Sequence, residues 1–508
     1  MRGAIAAGHP VTAEIGARVL ADGGNAVDAC IAAGFASWVV EGPLTGPGGG
    51  GFMLVHRART RTTTVLDFFV NVPGLGGRGA TAAEMEEIDV DFTESSQAYR
   101  IGAASAAVPG TPAGLAEAHR LFASLPWAAL AEPAIEVAGA GVELTRRQAH
   151  LHAMLDLILR HTPEGQRVYG SDGARLVAGD LLIQPDLAST LERLARHGAH
   201  DFYVGELGRA IASHVLAEGG ALGPRDLLAY RVIRRRPVRA TFFGHELASN
   251  PPPSTGGVLI GYGLRVLDGA GLAGPPGSAE AMAQLVELMR EQNRARDSRF
   301  GRDLYRGGLA RRLYDEPEVA EAVERVRGTT HISVVDERGN AASLTASTGA
   351  GSGMIVPGTG IHLNNMLGEF DLAGAGGAGR PGFRMTSMMA PSVVLRDGSP
   401  RLVVGSAGSR RLRGAIMQIV INSVVHGLPI EEAIGRARVH LEDPHVHCEG
   451  GADPAEVDRL EELGYDVVRW RRRNLFFGGA AGVEVRPDGT RAAAGDPRRG
   501  GAGIVVGS

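Results

Sequence analysis

A hydroxyl that directly follows a small residue, at the mouth of a strand, is what a self-cleaving hydrolase needs. The stretch Gly328-Thr329-Thr330-His331 offers it. Cleavage between Gly328 and Thr329 leaves a threonine whose own α-amine can serve as base for its hydroxyl. The same four residues also describe an ordinary strand start rich in threonine, and alone they favour that plainer reading. A second candidate is Gly405-Ser406-Ala407-Gly408-Ser409, set between a strand pattern and a helix pattern. Backbone N–H groups collect at such a junction and can hold an oxyanion, although a tight strand-to-helix turn accounts for it equally well. Three other motifs carry less. The cluster His440, Glu442, Asp443, His445, His447, Cys448 and Glu449 has the composition of a metal site. It has neither C-x-x-C nor a helical H-x-x-x-H, so it reads as a polar extended edge. Ser406 misses the G-x-S-x-G spacing of a nucleophile elbow. Residues 46–51 satisfy G-x-G-x-x-G, but a helix precedes them and a strand follows, the reverse of a dinucleotide site.

The elements that must position these residues follow from periodicity and punctuation. Residues 11–24 read as a helix closed by Gly23-Gly24, and Asn25 caps a second helix over Ala26–Val40. Strands are expected at Phe52–Arg57 and Thr62–Phe69. Helices follow at Ala113–Phe122, Ala128–Ala138 and Thr145–Arg160, with more over 182–232. A strand pair at Arg236–Ser249, a helix from about Val258 and the long helix Ala279–Arg299 come next. Beyond Thr329 the pattern changes to hairpins. Ile332–Asp336 and Ala341–Ser347 flank a Gly339-Asn340 turn, Ser392–Arg396 and Arg401–Ser406 flank Asp397-Gly398, and Gly482–Arg486 and Arg491–Ala494 flank Asp488-Gly489. Helices at Arg413–His426, Ile430–Val439 and Glu456–Leu463 separate them. Strands in two clusters with helices before and after imply stacked sheets covered by helices.

Composition narrows the function classes. A chain of 508 residues forms two to four domains or one large layered one. Net charge is −4 with both signs interspersed, which gives no nucleic-acid surface. All 52 basic residues are arginine, so a catalytic lysine, a pyridoxal Schiff base and a P-loop are excluded. Two cysteines, Cys30 and Cys448, make neither a disulfide framework nor a zinc ribbon. The longest uncharged apolar run, Ala29–Val40, falls short of the ~20 residues that span a bilayer, and no signal pattern opens the chain. A cytoplasmic protein with no membrane partner is expected.

Several segments then coincide with one pattern: GGNAVDACIAAGFA (23–36), GPGGGGFML (46–54), VPGTPAG (108–114), NPPPSTGG (250–257), TTHISVVDERGNA (329–341), GTGIHLNN (358–365), SMMAPSVV (387–394), GSAGSR (405–410) and GDPRRGG (495–501). On these, in this order, the chain resembles the gamma-glutamyltransferase family of N-terminal-nucleophile hydrolases over nearly its whole length. The resemblance implies an α+β fold, a four-layer αββα sandwich. It implies a precursor that cuts itself before Thr329 into a large subunit, 1–328, and a small subunit, 329–508. Thr329 is then the nucleophile, Ser347 the second hydroxyl beside it (usually a threonine), and Gly408 and Ser409 the oxyanion donors where the family has two glycines. Neither cofactor nor metal is implied, and the partner is a small gamma-glutamyl or other acyl-amide substrate.

Departures from the family fall in the glutamyl pocket. Phe69 stands where the family's carboxylate-gripping arginine is usual, and a phenyl ring cannot replace that pairing. Met366 and Glu369 replace a Gln and an Asp after the double asparagine, Asn364-Asn365, while Thr386 and Ser387 keep the paired hydroxyls. Only 15 residues separate Phe370 from Thr386, shorter than the family's lid region. A more apolar and more open pocket with poor use of glutathione is expected. Two rivals stay open: a C–C bond hydrolase of specialised metabolism on the same fold, as some relatives of alkylproline biosynthesis are, and an uncleaved, non-enzymatic homologue.

Overall fold

The hairpin expected after residue 329 is present and sits in the middle of a sheet. The computed structural model describes residues 2–77, 84–92, 96–305, 308–315, 330–369, 379–408 and 410–507, with backbone only for 297–303, 315 and 410. Gly328, Thr329 and Ser409 therefore lie outside the described residues.

Two large antiparallel sheets are built, in chain order, from strands β1 (Gly3–Ala7), β2 (Gly50–Arg57), β3 (Thr62–Phe68), β4 (Ile233–Arg235), β5 (Val238–Phe242), β6 (His245–Ser249), β7 (Thr330–Asp336), β8 (Ala341–Ser347), β9 (Ser392–Arg396), β10 (Ser399–Ala407), β11 (Gly479–Val485), β12 (Arg491–Gly495) and β13 (Ala502–Val506). The first sheet runs β4-β3-β2-β8-β7-β1-β13 and the second β5-β6-β9-β10-β11-β12. Asp397 and Gly398, with φ of 52° and 77°, make the turn between β9 and β10.

Side-chain alternation divides the interior into three apolar layers. Ile332, Val334, Leu344 and Ala346 face outward against helices α1 (Pro10–Ala21) and α2 (Ala26–Val40). Ala4, Ala6, Phe52, Val335, Val393 and Val483 face inward between the sheets. On the far side, Val394, Val404 and Ala480 pack against α3 (Gly256–Ala270) and α4 (Arg410–Val420). This is the αββα sandwich. Strands buried on both faces carry apolar residues at nearly every position, and alanines in the middle layer let the sheets approach. Burying each large side chain there, such as Phe52, contributes about 2 kcal/mol.

Local signals set the element ends. Asn25 accepts from the N–H of Val27 and Asp28 while the Asp28 carboxylate takes the N–H of Asn25, a capping box that starts α2 where expected. All 15 residues of α2 are buried, since it is enclosed between the sheet and further helices. The structure corrects the reading elsewhere. The helix over Thr145–Arg160 divides into Arg146–Met154 and Asp156–Leu159. Leu155 between them is drawn into a separate cluster with Tyr169 and Phe476. The helix from Ile430 ends at Gly435, because Val439–Glu442 is needed as a strand. Strands β1 and β13 were not anticipated: GAIAA has no apolar-polar alternation because both its faces are covered. Among the described residues, no helix is long and apolar enough to cross a membrane.

Candidate active site

Of the residues expected in catalysis, Ser347 and Gly408 are described: Ser347 ends β8 and Gly408 follows β10. β7 pairs with β8 from Thr330 opposite Ala346 to Val335 opposite Ala341. Its odd-numbered side chains point at the second sheet: the Ser333 hydroxyl donates to the Ala481 carbonyl at 3.2 Å, and the His331 ring fills the space beside Gly405. His331 is held by Thr345 at 2.8 Å and Ser333 at 2.9 Å, and burial pushes its pKa down to about 3. It is a neutral brace, unsuited to shuttling protons near pH 7. Thr330 points the other way, and its hydroxyl donates to the buried Glu41.

Ser347 closes β8, fully buried, and its Oγ accepts from the Gly349 N–H at 2.8 Å. The glycine-rich run 46–51 lets the backbone pass this point. A Cβ on Gly49 would lie 2.4 Å from the Ser347 carbonyl oxygen, and one on Gly51 would lie 2.3 Å from that of Thr345. The run is a close-packing device. Gly408 opens the strand-to-helix turn with φ of +114°, and a Cβ there would lie 2.8 Å from the Gly478 Cα. A cavity of about 30 Å³ touches both Gly349 and Gly408, with Leu44, Phe92, Tyr99 and Arg411 among its walls. The Ser347 turn and the Gly408 turn therefore face one space.

Along the chain, the gamma-glutamyltranspeptidase pattern matches residues 12–506. The chain belongs to the gamma-glutamyltranspeptidase family. The glutathione hydrolase proenzyme of Pseudomonas aeruginosa is 31% identical over 545 aligned residues, covering 99% of this chain and 94% of that protein. The acylase ACY 1 proenzyme of Pseudomonas sp. strain V22 is 30% identical, with 96% and 91% covered. In structure, the cephalosporin acylase from Bacillus halodurans superposes with a TM-score of 0.83 at 23% identity, over 99% of this chain and 95% of that one, which shows the shared fold. Members of the gamma-glutamyltranspeptidase family are hydrolases and acyltransferases, and this chain is such an enzyme.

Within that family frame, the expected substrate residues separate into two groups. Phe69, Met366, Met385 and Met389 join one apolar cluster between the sheets. Phe69 stacks on Phe52, with 5.6 Å between ring centroids. Its carbonyl accepts from Tyr230 Oη at 2.7 Å and from Arg384. Ser387 accepts the Met389 N–H at 3.1 Å, and its carbonyl takes the Thr255 N–H at 2.7 Å. Thr386 precedes it, half-buried. Phe69, Met366, Glu369 and Ser387 are all buried.

The second group surrounds Gly349. Asn364 donates to the carbonyls of Gly48 and Ala107 at 2.8 and 2.9 Å and accepts from the N–H of Ala107 and Met366. Its amide is fully engaged with backbone, which makes it a brace. Its neighbour Asn365, not singled out from the sequence, accepts the Ala350 N–H at 3.0 Å. A Cβ on Gly349 would meet both Asn365 Oδ1 and Glu369 Oε1, so these two side chains crowd the Ser347 turn. Both asparagines lie in the loop between the short strand Ile361–His362 and the turn Met366–Gly368, and their hydrogen-bond partners show which one meets the Ser347 turn. Two other features lie apart from these residues. A cavity of about 710 Å³, walled by Met282, Gln418 and Arg438, touches none of them. In the His440–Glu449 stretch, strands Val439–Glu442 and His445–Cys448 pair, as the extended reading required. His447 there accepts from Trp470 Nε1 at 3.0 Å and Glu449 pairs with Arg498.

Proposed function

We propose that this chain is an autoprocessed amidohydrolase or acyltransferase with Thr329 as nucleophile. Scission at Gly328–Thr329 then gives a large subunit, 1–328, and a small one, 329–508, from one precursor. The observation that carries this reading is the β7–β8 register. Thr330 opposes Ala346, so Ser347 lies one step beyond the first described pair of these strands. The odd-numbered face of β7 is the one turned towards the second sheet, where His331 packs on Gly405, three residues before Gly408. That supports a hydroxyl at 329 beside Ser347 and within reach of the Gly408 turn.

The chemistry follows in two stages. In the precursor, Thr329 Oγ attacks the Gly328 carbonyl and the peptide C–N bond breaks as an ester forms. Breaking that C–N bond frees the Thr329 α-amine, and water then cleaves the ester, freeing the Gly328 carboxylate and the Thr329 hydroxyl. In the mature enzyme the neutral α-amine takes the Oγ proton as Oγ attacks the substrate amide. An α-amine with a pKa near 8 is partly neutral at working pH. The oxyanion is held by backbone N–H groups at 408 and 409, where the contact is main-chain and a serine serves as well as a glycine. The departing amine takes the proton back, and water or an amine acceptor resolves the acyl-enzyme.

The substrate class is small acyl amides, with gamma-glutamyl compounds as the default and glutathione as a poor substrate. Phe69 and Met366 support this, since neither can pair with an α-carboxylate or an α-ammonium group. The test is turnover of a gamma-glutamyl anilide and of a panel of other acyl anilides, with the Thr329→Ala protein as blank. Anilide turnover that vanishes in Thr329→Ala, with slow release from glutathione, is expected. Efficient glutathione turnover would overturn the altered pocket, and activity in Thr329→Ala would overturn the nucleophile.

A further inference from the structure

Glu41 is a carboxyl that burial alone does not explain. It caps the C-terminal end of α2, where the helix dipole is negative and disfavours an anion, and it is only 5% exposed. Placing a carboxylate there is unfavourable unless specific partners hold it. It has three. The Thr12 hydroxyl donates to it at 2.9 Å from α1, the Thr330 hydroxyl donates to its other oxygen from the first described position of β7, and the Arg499 guanidinium acts on it by charge. The end of β1 closes over the group, since a Cβ on Gly8 would lie 2.3 Å from Glu41 Oε2 and 3.1 Å from Thr330 Oγ1. Burial raises its pKa against the two hydroxyls and Arg499.

The same residue also reaches the other side of the site. The Glu41 carbonyl accepts the N–H groups of Leu44 and Thr45, and the Leu44 carbonyl accepts the N–H of Thr348, next to Ser347. Arg499 lines both the small cavity beside Glu41 and the one that touches Gly349 and Gly408. Glu41 thus joins, through two hydrogen-bond routes, the strand start at 330 and the turn at 347–349. A purely structural buried carboxyl has no need to meet both ends of the proposed centre.

We infer that Glu41 is a positioning residue for the acyl-transfer centre, holding Thr330 and with it the strand end that carries the nucleophile. This rests on the reading of Thr329 given above. Scission removes the covalent tether on the N-terminal side of residue 329. From then on, the strand pairing and the Thr330–Glu41 hydrogen bond fix where the new N-terminus lies. A shift of about 1 Å in a nucleophile can lower a rate by about 100-fold, so a single buried anchor one residue away has a large lever.

The experiment compares wild type, Thr330→Val, Thr330→Ser, Glu41→Gln and Thr12→Val for self-cleavage on a denaturing gel, for melting temperature, and for kcat and KM on the acyl anilide that wild type turns over fastest. Thr330→Val keeps shape but loses the hydroxyl. It is expected to lose about ten- to a hundred-fold in kcat with KM within about two-fold. Thr330→Ser restores the donor and is expected within about three-fold of wild type. Glu41→Gln leaves one acceptor oxygen where the carboxylate offers two, and is expected to lower kcat by about ten-fold with KM within about two-fold. Thr12→Val loses a hydrogen bond to the same carboxyl from the far side, and is expected to lower the melting temperature while leaving kcat within about three-fold. Wild-type kcat in a folded Thr330→Val would overturn the inference, as would kcat losses in Thr12→Val and Thr330→Val that simply follow their melting temperatures. An active wild type with either result leaves the nucleophile reading standing. A wild type that neither cleaves nor turns over any anilide removes both.

Discussion

Phe69 lies flat against Phe52, with ring centroids 5.6 Å apart and planes 14° from parallel. The Phe69 side chain therefore packs into the layer between the sheets. Substituting arginine there would bury a charge in an apolar cluster whose nearest guanidinium, Arg384, already binds the Phe69 carbonyl. Phe69→Arg is expected to lose at least about 3 kcal/mol of stability and to gain no glutathione turnover. Denaturant unfolding together with a glutathione assay checks it. A stable variant with raised glutathione kcat/KM would show that the pocket can be restored by one residue.

Asp67 is fully buried between two arginines, 3.2 Å from Arg384 Nε and 2.7 Å from Arg235 Nε. Arg384 also lies over the Tyr230 ring, 4.9 Å from its centroid, and donates to the Tyr230 hydroxyl at 2.7 Å. Removing the carboxylate leaves the buried guanidinium without its counter-charge. Asp67→Ala is expected to lower stability by about 3–5 kcal/mol. The denaturant midpoint should fall while the slope of the transition stays unchanged. A loss below about 1 kcal/mol would mean that Tyr230 and the backbone carbonyls suffice to hold Arg384.

Two buried histidines set an acid limit. Burial pushes His331 down to about 3 and His362 down to about 4. The unfolded chain takes up protons at these residues below about pH 6.5, whereas the folded chain does not until pH is near 4 or 3. Stability is therefore expected to fall as pH drops from about 6.5 towards 4, at about 1.4 kcal/mol per pH unit for each histidine. Melting temperature against pH measures it, and His331→Gln should reduce the slope. A flat profile from pH 6.5 to 4.5 would contradict the burial of these rings as neutral groups.

What the sequence disclosed was local. Asn25 with Asp28, the Asp397-Gly398 turn and the hairpin around Gly339 each act within a few residues, and their types specify their geometry. Strand β1 was illegible because its neighbours β7 and β13 come from the far end of the chain, and burial on both faces erases alternation. Glu41 was illegible for the same reason, since its partner Thr330 lies 289 residues away. Asn364 and Met366 were found by position in a motif, yet position did not tell that Asn364 braces backbone while Asn365 and Glu369 crowd the Ser347 turn. Side-chain direction depends on pairing with other segments, and one sequence does not print it.

The central claim is that the chain cuts itself before Thr329. The intact mass of the purified protein under denaturing conditions, with N-terminal sequencing of the smaller fragment, tests it most directly. Two fragments matching 1–328 and 329–508 are expected, the smaller one beginning Thr329-Thr330-His331, and Thr329→Ala should give the full-length chain alone. A single uncut chain from wild-type protein that nevertheless turns over acyl amides, or a cut at any other bond, would contradict it.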